Sequence, residues 1–198
     1  MNKDYIQTGR VNQKLETREL ILVSAQELLK KGRDFSLEDV AKKAGISRAT
    51  IYRYYSNKEI LAAEAGLDIT TLSPDGVIKS LEGKGIEGMI LGIQDYFNTL
   101  AIDNEKAFRK YLSLVITSDS PELKRGARRK KTLELALDHP EFTAKEKKDL
   151  ANLLTLLMGI EPLIVSKDVV GLNNEGSKAL LKWGIQLILK GYFGSKKQ

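Results

Sequence analysis

The chain has 198 residues, 42% hydrophobic and 29% charged, with a net charge of +6 and no cysteine. This is the balance of a folded chain with one or two cores, and it excludes a disulfide framework and thiolate chemistry. No apolar run reaches the ~18 residues needed to span a bilayer, and the opening MNKDYIQTGR lacks the apolar stretch of a secretory leader, so the expectation is a cytoplasmic protein without a membrane partner.

Residues 1–14 are polar and read as a flexible arm. A first helix is predicted from about Glu16 to Lys31 on the stripe Ile21, Ala25, Leu28, with Gly32 as its stop. Ser36 caps a short second helix, Leu37 to Ala44, with Asp39 at the capping-box position. Gly45 breaks it, and Ser47 caps a third helix, Arg48 to about Tyr55. A fourth follows Ser56-Asn57 and continues to about Thr71, where Ser73-Pro74-Asp75-Gly76 reads as a turn.

Beyond that turn, Ile86, Met89, Ile90, Ile93, Phe97 and Leu100 form one helical stripe, and Phe108, Tyr111, Leu112 and Val115 form another. A basic helix from about Pro121 to Leu137 carries the dense run Lys124–Lys131, read as a solvated face, and ends at Asp138-His139-Pro140. Thr143 and Glu146 form a capping box that opens a long apolar helix to about Val165. The last helix, about Glu175 to Tyr192, carries Leu180, Trp183, Leu187 and Ile188. The fold class is therefore all-α. The predicted domains are the arm (1–14), a three-helix helix-turn-helix head with its connector helix (15–72) and a larger helical body (73–198).

The head carries the informative chemistry. Two short helices flank the corner Gly45-Ile46-Ser47, where glycine can take the positive φ of a sharp turn and Ile46 can tuck between the helices. Such a corner presents the N-terminal end of its second helix to a DNA major groove. Arg48 suits guanine O6/N7 or a phosphate, Ala49 a thymine methyl, and Thr50 a base edge or phosphate. Tyr52 and Tyr54 offer hydroxyls to phosphates, Lys58 adds an ammonium, and Ser36 and Ser47 stand at helix starts on either side. The same residue types also serve as core aromatics and solvated charges, and Tyr55 reads mainly as core. Charge adds little: the surplus of basic over acidic residues is four in the first 60 residues and two in the other 138.

The segment FSLEDVAKKAGISRATIYRYYSNKEIL resembles the DNA-binding head of the tetracycline-repressor (TetR) family. The family's pattern stands here as Ser36, Asp39-Val40-Ala41, Ala44-Gly45-Ile46-Ser47, Thr50-Ile51-Tyr52, Tyr54-Tyr55 and Lys58-Glu59, preceded by Arg18, Ile21-Leu22, Ala25 and Leu28-Leu29. Tyr55 stands where Phe is usual, and Arg48-Ala49 fills the variable positions. The resemblance implies DNA contacts from Thr50, Tyr52, Tyr54 and Lys58, with Arg48 and Ala49 as base readers and Arg10 and Lys14 following the neighbouring backbone or minor groove as an arm. Ser36 and Ser47, at the helix starts, complete the expected contact set. It further implies a double-stranded operator, usually a pseudo-palindrome, bound by a homodimer joined through the last two helices. The body would then bind an unknown small-molecule effector that lowers operator affinity, with Met89, Phe97, Phe108, Tyr111 and Trp183 as candidate lining residues.

The expected function is a ligand-responsive transcriptional repressor. The alternatives are a DNA-binding regulator without a small-molecule effector, or a helical lipid- or acyl-binding protein. No catalytic set, cofactor motif or metal-ligand cluster is predicted. His139 is the only histidine and reads as part of a helix end.

Overall fold

A computed structural model of the protein describes residues 3–31, 34–68, 71–117 and 127–195. Among these residues every regular element is helical and none is a strand. The chain divides into two compact units, Met1–Thr71 with Arg109–Arg125, and Leu72–Phe108 with Gly126–Gln198.

The first unit holds α1 (Lys3–Lys30), α2 (Leu37–Lys43), α3 (Arg48–Tyr54) and α4 (Lys58–Asp68). It also holds the later part of α7 (Glu105–Ile116). Helix α1 starts at Lys3, so the stretch expected to be an arm is helical; only Gly9 interrupts an otherwise helix-compatible run there. The side chain of Arg10 and the stop expected at Gly32 lie outside the described residues.

Ile21, Leu22 and Ala25 of α1 bury against Phe35, Val40, Ala41, Ile51, Tyr55, Ile60, Leu61 and Ala65, the core of the head. Leu28 and Leu29 extend that stripe at its edge, as helical spacing requires. Tyr111, Leu114 and Val115 of α7 pack on the same cluster. Part of a helix expected in the body thus belongs to the head's compact unit.

The second unit holds α5 (Pro74–Ser80), α6 (Ile86–Asp103), α8 (Arg128–Ala136), α9 (Ala144–Thr155), α10 (Ile160–Ile164) and α11 (Asn174–Ser195). Its core runs through Val77, Ile90, Ile93, Phe97, Leu133, Leu137, Leu154, Met158, Ile185 and Leu189. The Ser-Pro-Asp-Gly segment expected to be a turn instead opens α5. Ser73 accepts from the Gly76 amide, and Pro74 sits at the first helical position, where a missing N–H costs nothing and its fixed φ suits the helix. Thr143 and Glu146 form the expected capping box at the start of α9.

The long helix expected to reach Val165 is broken. α9 ends at Thr155, Gly159 takes φ 87°, and α10 then continues as a π-helical turn, Val165–Val169. Arg129 fixes the break: its guanidinium meets the Glu161 carboxylate at 2.8 and 2.9 Å and donates to the Met158 carbonyl. Asn98 accepts the Gly159 amide at 2.8 Å, and the buried Gln94 amide donates to the carbonyls of Leu157 (2.9 Å) and Leu181 (2.8 Å). The contacts at Leu157, Met158 and Gly159 satisfy backbone groups that the interrupted helix leaves open, and the bond to Leu181 ties Gln94 to α11.

Arg129 is therefore structural, a departure from the solvated face read over the basic run. Lys124 to Gly126 of that run lie outside the described residues. Ala144–Val169 is long and apolar enough by composition to cross a membrane, but it carries this break, and 44% of its most apolar window is buried within the fold.

Candidate nucleic-acid interface

The corner between α2 and α3 is built by backbone geometry first. Gly45 stands at φ 66°, a left-handed conformation with little steric cost only for glycine. Its amide donates to Lys42 O at 3.3 Å, and the Ile46 amide to Ala41 O at 3.0 Å. These two bonds close the end of α2 as a Schellman motif and turn the chain. Ile46 packs against the head core beside Val40 and Ala41, which fixes the angle from within.

Both helix starts are capped as expected, and the caps occupy two of the proposed contact residues. The Ser36 amide and hydroxyl both donate to the Asp39 carboxylate, at 2.8 and 2.7 Å, while the Ser36 hydroxyl accepts from the Asp39 amide at 3.1 Å. Asp39's carboxyl is held below its ordinary range chiefly by the Ser36 backbone N–H and then by the hydroxyl. At the start of α3, Ser47 accepts from the Thr50 amide at 3.0 Å, and the two hydroxyls lie 2.8 Å apart.

α3 then presents two faces. Ile51 is fully buried, while Arg48, Ala49, Tyr52 and Arg53 are exposed on an arc of about 140° at 100° per residue. Thr50 is half-buried beyond one edge of that arc, and Tyr54 is half-buried on the side opposite it, packed on the head core. The structure thus brings Arg48, Ala49 and Tyr52 onto one open surface. Ser47 stands at its N-terminal end, and Ser36 and Lys58 stand at the starts of neighbouring helices.

Carboxylates that no contact motif marks hold the basic groups. Glu38, in the first turn of α2, accepts the Tyr52 hydroxyl at 2.9 Å and pairs with Arg48 Nε at 3.0 Å through the same oxygen. The Arg48 guanidinium also lies over the Tyr52 ring, 5.6 Å from its centre. Asp34 pairs with Lys58 at 2.8 Å. Hydrogen bonding to Lys58 and its charge hold the Asp34 carboxyl down, and the same contact raises the Lys58 ammonium. Arg53 is a further basic group outside the expected contact set; it is exposed in the last turn of α3, 5.8 Å from the Tyr54 ring centre. Its only signal in the sequence is a basic residue within the recognition helix.

Beneath the open face lies a buried polar hub. Glu64 of α4 pairs with Arg18 of α1 and accepts the hydroxyls of Tyr55 (3.2 Å) and Tyr111 (3.1 Å). The side chains of Arg18 and Glu64 are 13% and 12% exposed, so the pair is largely withdrawn from water. Burial is the largest single influence and acts to lower the Arg18 pKa, but the charges of Glu64, Tyr55 and Tyr111 and the hydrogen bond to Glu64 together outweigh it, and the net shift is upward. Burial first, and Glu64's charge next, push the Tyr55 phenol well up. Tyr55 is the residue that ends α3, so the hub fixes the recognition helix at its C-terminal end. Arg18 lies 46 positions from Glu64 in the chain, so no local spacing announces the pair.

The five residues expected to line an effector pocket are divided between the two units. Phe97 is core and Met89 packs on it in the second unit. Phe108 is half-buried in that unit, Tyr111 belongs to the hub of the first, and Trp183 is 57% exposed. A groove of about 350 Å³ runs instead along α6 and α11, walled in part by Lys84, Gln94, Asp95, Asn98, Lys178 and Lys182. Among the described residues, no three His, Asp or Glu side chains are grouped to hold a metal ion.

Residues 21–65 match the family model for bacterial regulatory proteins of the tetR family. No curated protein and no solved structure matches the chain. The matched span starts in α1, takes in the whole helix-turn-helix and its caps, and ends in α4 one residue beyond Glu64. By that match and the geometry it falls on, residues 21–65 form a helix-turn-helix head similar to the DNA-binding domain of tetR-family regulators.

Proposed function

We propose that the protein is a dimeric, effector-responsive repressor that reads a pseudo-palindromic operator with the N-terminal half of α3. The observation that carries the DNA-reading part is the open arc of α3, bearing Arg48, Ala49 and Tyr52 on a helix fixed at both ends. In this reading Arg48 and Ala49 address base edges, with Thr50 at their flank. Tyr54, Lys58 and the helix starts at Ser36 and Ser47 hold phosphates and set the register, while Tyr52, expected to do the same, keeps its hydroxyl on Glu38. Asp34 releases Lys58 as a phosphate takes its place.

Dimerisation is proposed through α9 and α11. Leu150 and Leu154 of α9, and Ile160 of α10, are buried in the protomer itself. Leu153, Leu180, Trp183 and Leu187 remain exposed, joined by Leu156. Leu180, Trp183 and Leu187 recur at three- and four-residue steps, the spacing of one helix face, and suit a two-fold bundle with a second copy. The effector is proposed on the family's pattern and is a small molecule of unassigned chemistry.

Selection of bound sequences from a random DNA pool, at two salt concentrations, tests the reading. The expected result is a two-fold symmetric consensus whose affinity falls steeply as salt rises. Recovery of no consensus, or binding indifferent to salt, would remove the operator-reading role. A shift of the operator titration by small metabolites tests the effector arm.

A further inference from the structure

The Glu38–Arg48–Tyr52 triangle has a property beyond general DNA affinity. An exposed arginine has many rotamers, and freezing them on a base costs discrimination as well as affinity. Here Arg48 is 75% exposed, yet Glu38 meets its Nε at 3.0 Å and the Tyr52 ring lies against its guanidinium. Glu38 is itself held, since the same oxygen accepts the Tyr52 hydroxyl at 2.9 Å. Among the described residues, no other side chain pairs with the terminal amino groups of Arg48. Those two groups are the fork that matches guanine O6 and N7.

We infer that Glu38 is a positioning residue for base recognition: it holds Arg48 through Nε so that the guanidinium fork is presented to guanine in one orientation. The inference rests on the DNA-reading role proposed above. It assigns α2 a part in sequence choice, although Glu38 itself touches no base. A carboxylate near DNA would ordinarily repel phosphate; this one is matched by the Arg48 charge, and its own backbone N–H and the Tyr52 hydroxyl hold its carboxyl below the usual range.

The test uses the full chain and the consensus operator recovered from the random pool, with all four bases placed in turn at each position. R48A identifies the position Arg48 reads by flattening it. E38A is expected to lower guanine preference at that same position by about tenfold, within the range a bidentate arginine contributes. E38Q keeps an acceptor oxygen and is expected to retain most of the preference. E38A/R48A is expected to be no flatter there than R48A alone.

A uniform gain in affinity for all sequences in E38A, with preference unchanged, would overturn the inference and leave Glu38 as a repelling charge. A uniform loss with a lowered melting temperature would overturn it in favour of a structural role. If the wild-type protein recovers no consensus, the DNA-reading role itself falls. A wild-type consensus that E38A reproduces with the same base preferences overturns the Glu38 inference alone.

Discussion

At the scale of single residues, the site combines exposed charges that contribute little to folding with a buried pair that contributes much. In the proposed reading Tyr54 and Lys58 hold phosphates. Replacing either with Ala is expected to weaken binding to all sequences alike, by about 1 kcal/mol, as gel-shift titrations on specific and random DNA would show. Asp34 works against Lys58, so D34N is expected to tighten binding uniformly at low salt, with the gain fading as salt rises; a change in base preference would contradict this. The gain should be small, because exposed pairs are weak and screened. Glu64 is the opposite case. E64Q leaves Arg18 charged and largely buried without its anion and loosens the hold on Tyr55 and Tyr111. A loss of about 3 kcal/mol or more in urea unfolding is expected, since breaking a buried pair strands the remaining charge.

At the scale of elements, two glycines with positive φ separate backbone cost from side-chain cost. At Gly45 an added Cβ would meet nothing within 4 Å, so G45A should cost only the left-handed backbone term, about 1–2 kcal/mol. Gly159 at φ 87° faces Arg129, whose guanidinium would clash with an added Cβ. G159A must therefore also displace the Arg129–Glu161 pair, and thermal melts should show a clearly larger loss than G45A. This contrast also marks what a sequence can reveal. The corner at Gly45-Ile46-Ser47 and the caps at Ser36, Ser47 and Thr143 are legible because each is written in a few adjacent residues. The break at Gly159 is not. It depends on Arg129, Asn98 and Gln94 arriving from other helices, while the local pattern Leu153–Val165 reads as one apolar helix. The start of α5 is ambiguous because Ser-Pro-Asp-Gly fits a turn and a capped helix equally well; residues further on decide between them. Glu38 and Asp34 escape a reading of the sequence for the same reason, since their importance comes from Arg48, Tyr52 and Lys58 standing opposite.

At the scale of the whole molecule, the remaining question is how one reading head becomes a selective regulator. A single helix in one major groove addresses a few base pairs, whereas two linked heads address twice as many and gain by acting together. The exposed apolar residues of α9 and α11 are the feature of the second unit that most needs a partner. Trp183 is 57%, Leu156 69% and Leu187 49% exposed, and water contacts each of them in the isolated protomer. Introducing a charge there tests the link without touching the reading surface. W183D is expected to sediment as a monomer at concentrations where the wild-type protein is a dimer, because two buried aspartates would face each other across a two-fold axis. Its far-ultraviolet circular dichroism should be unchanged, since Trp183 contributes little to the protomer's own core. Binding to a single half-site should survive, while the advantage of the full palindrome over that half-site is lost. If W183D remained dimeric and kept that advantage, the interface would have to lie elsewhere than this face of α11.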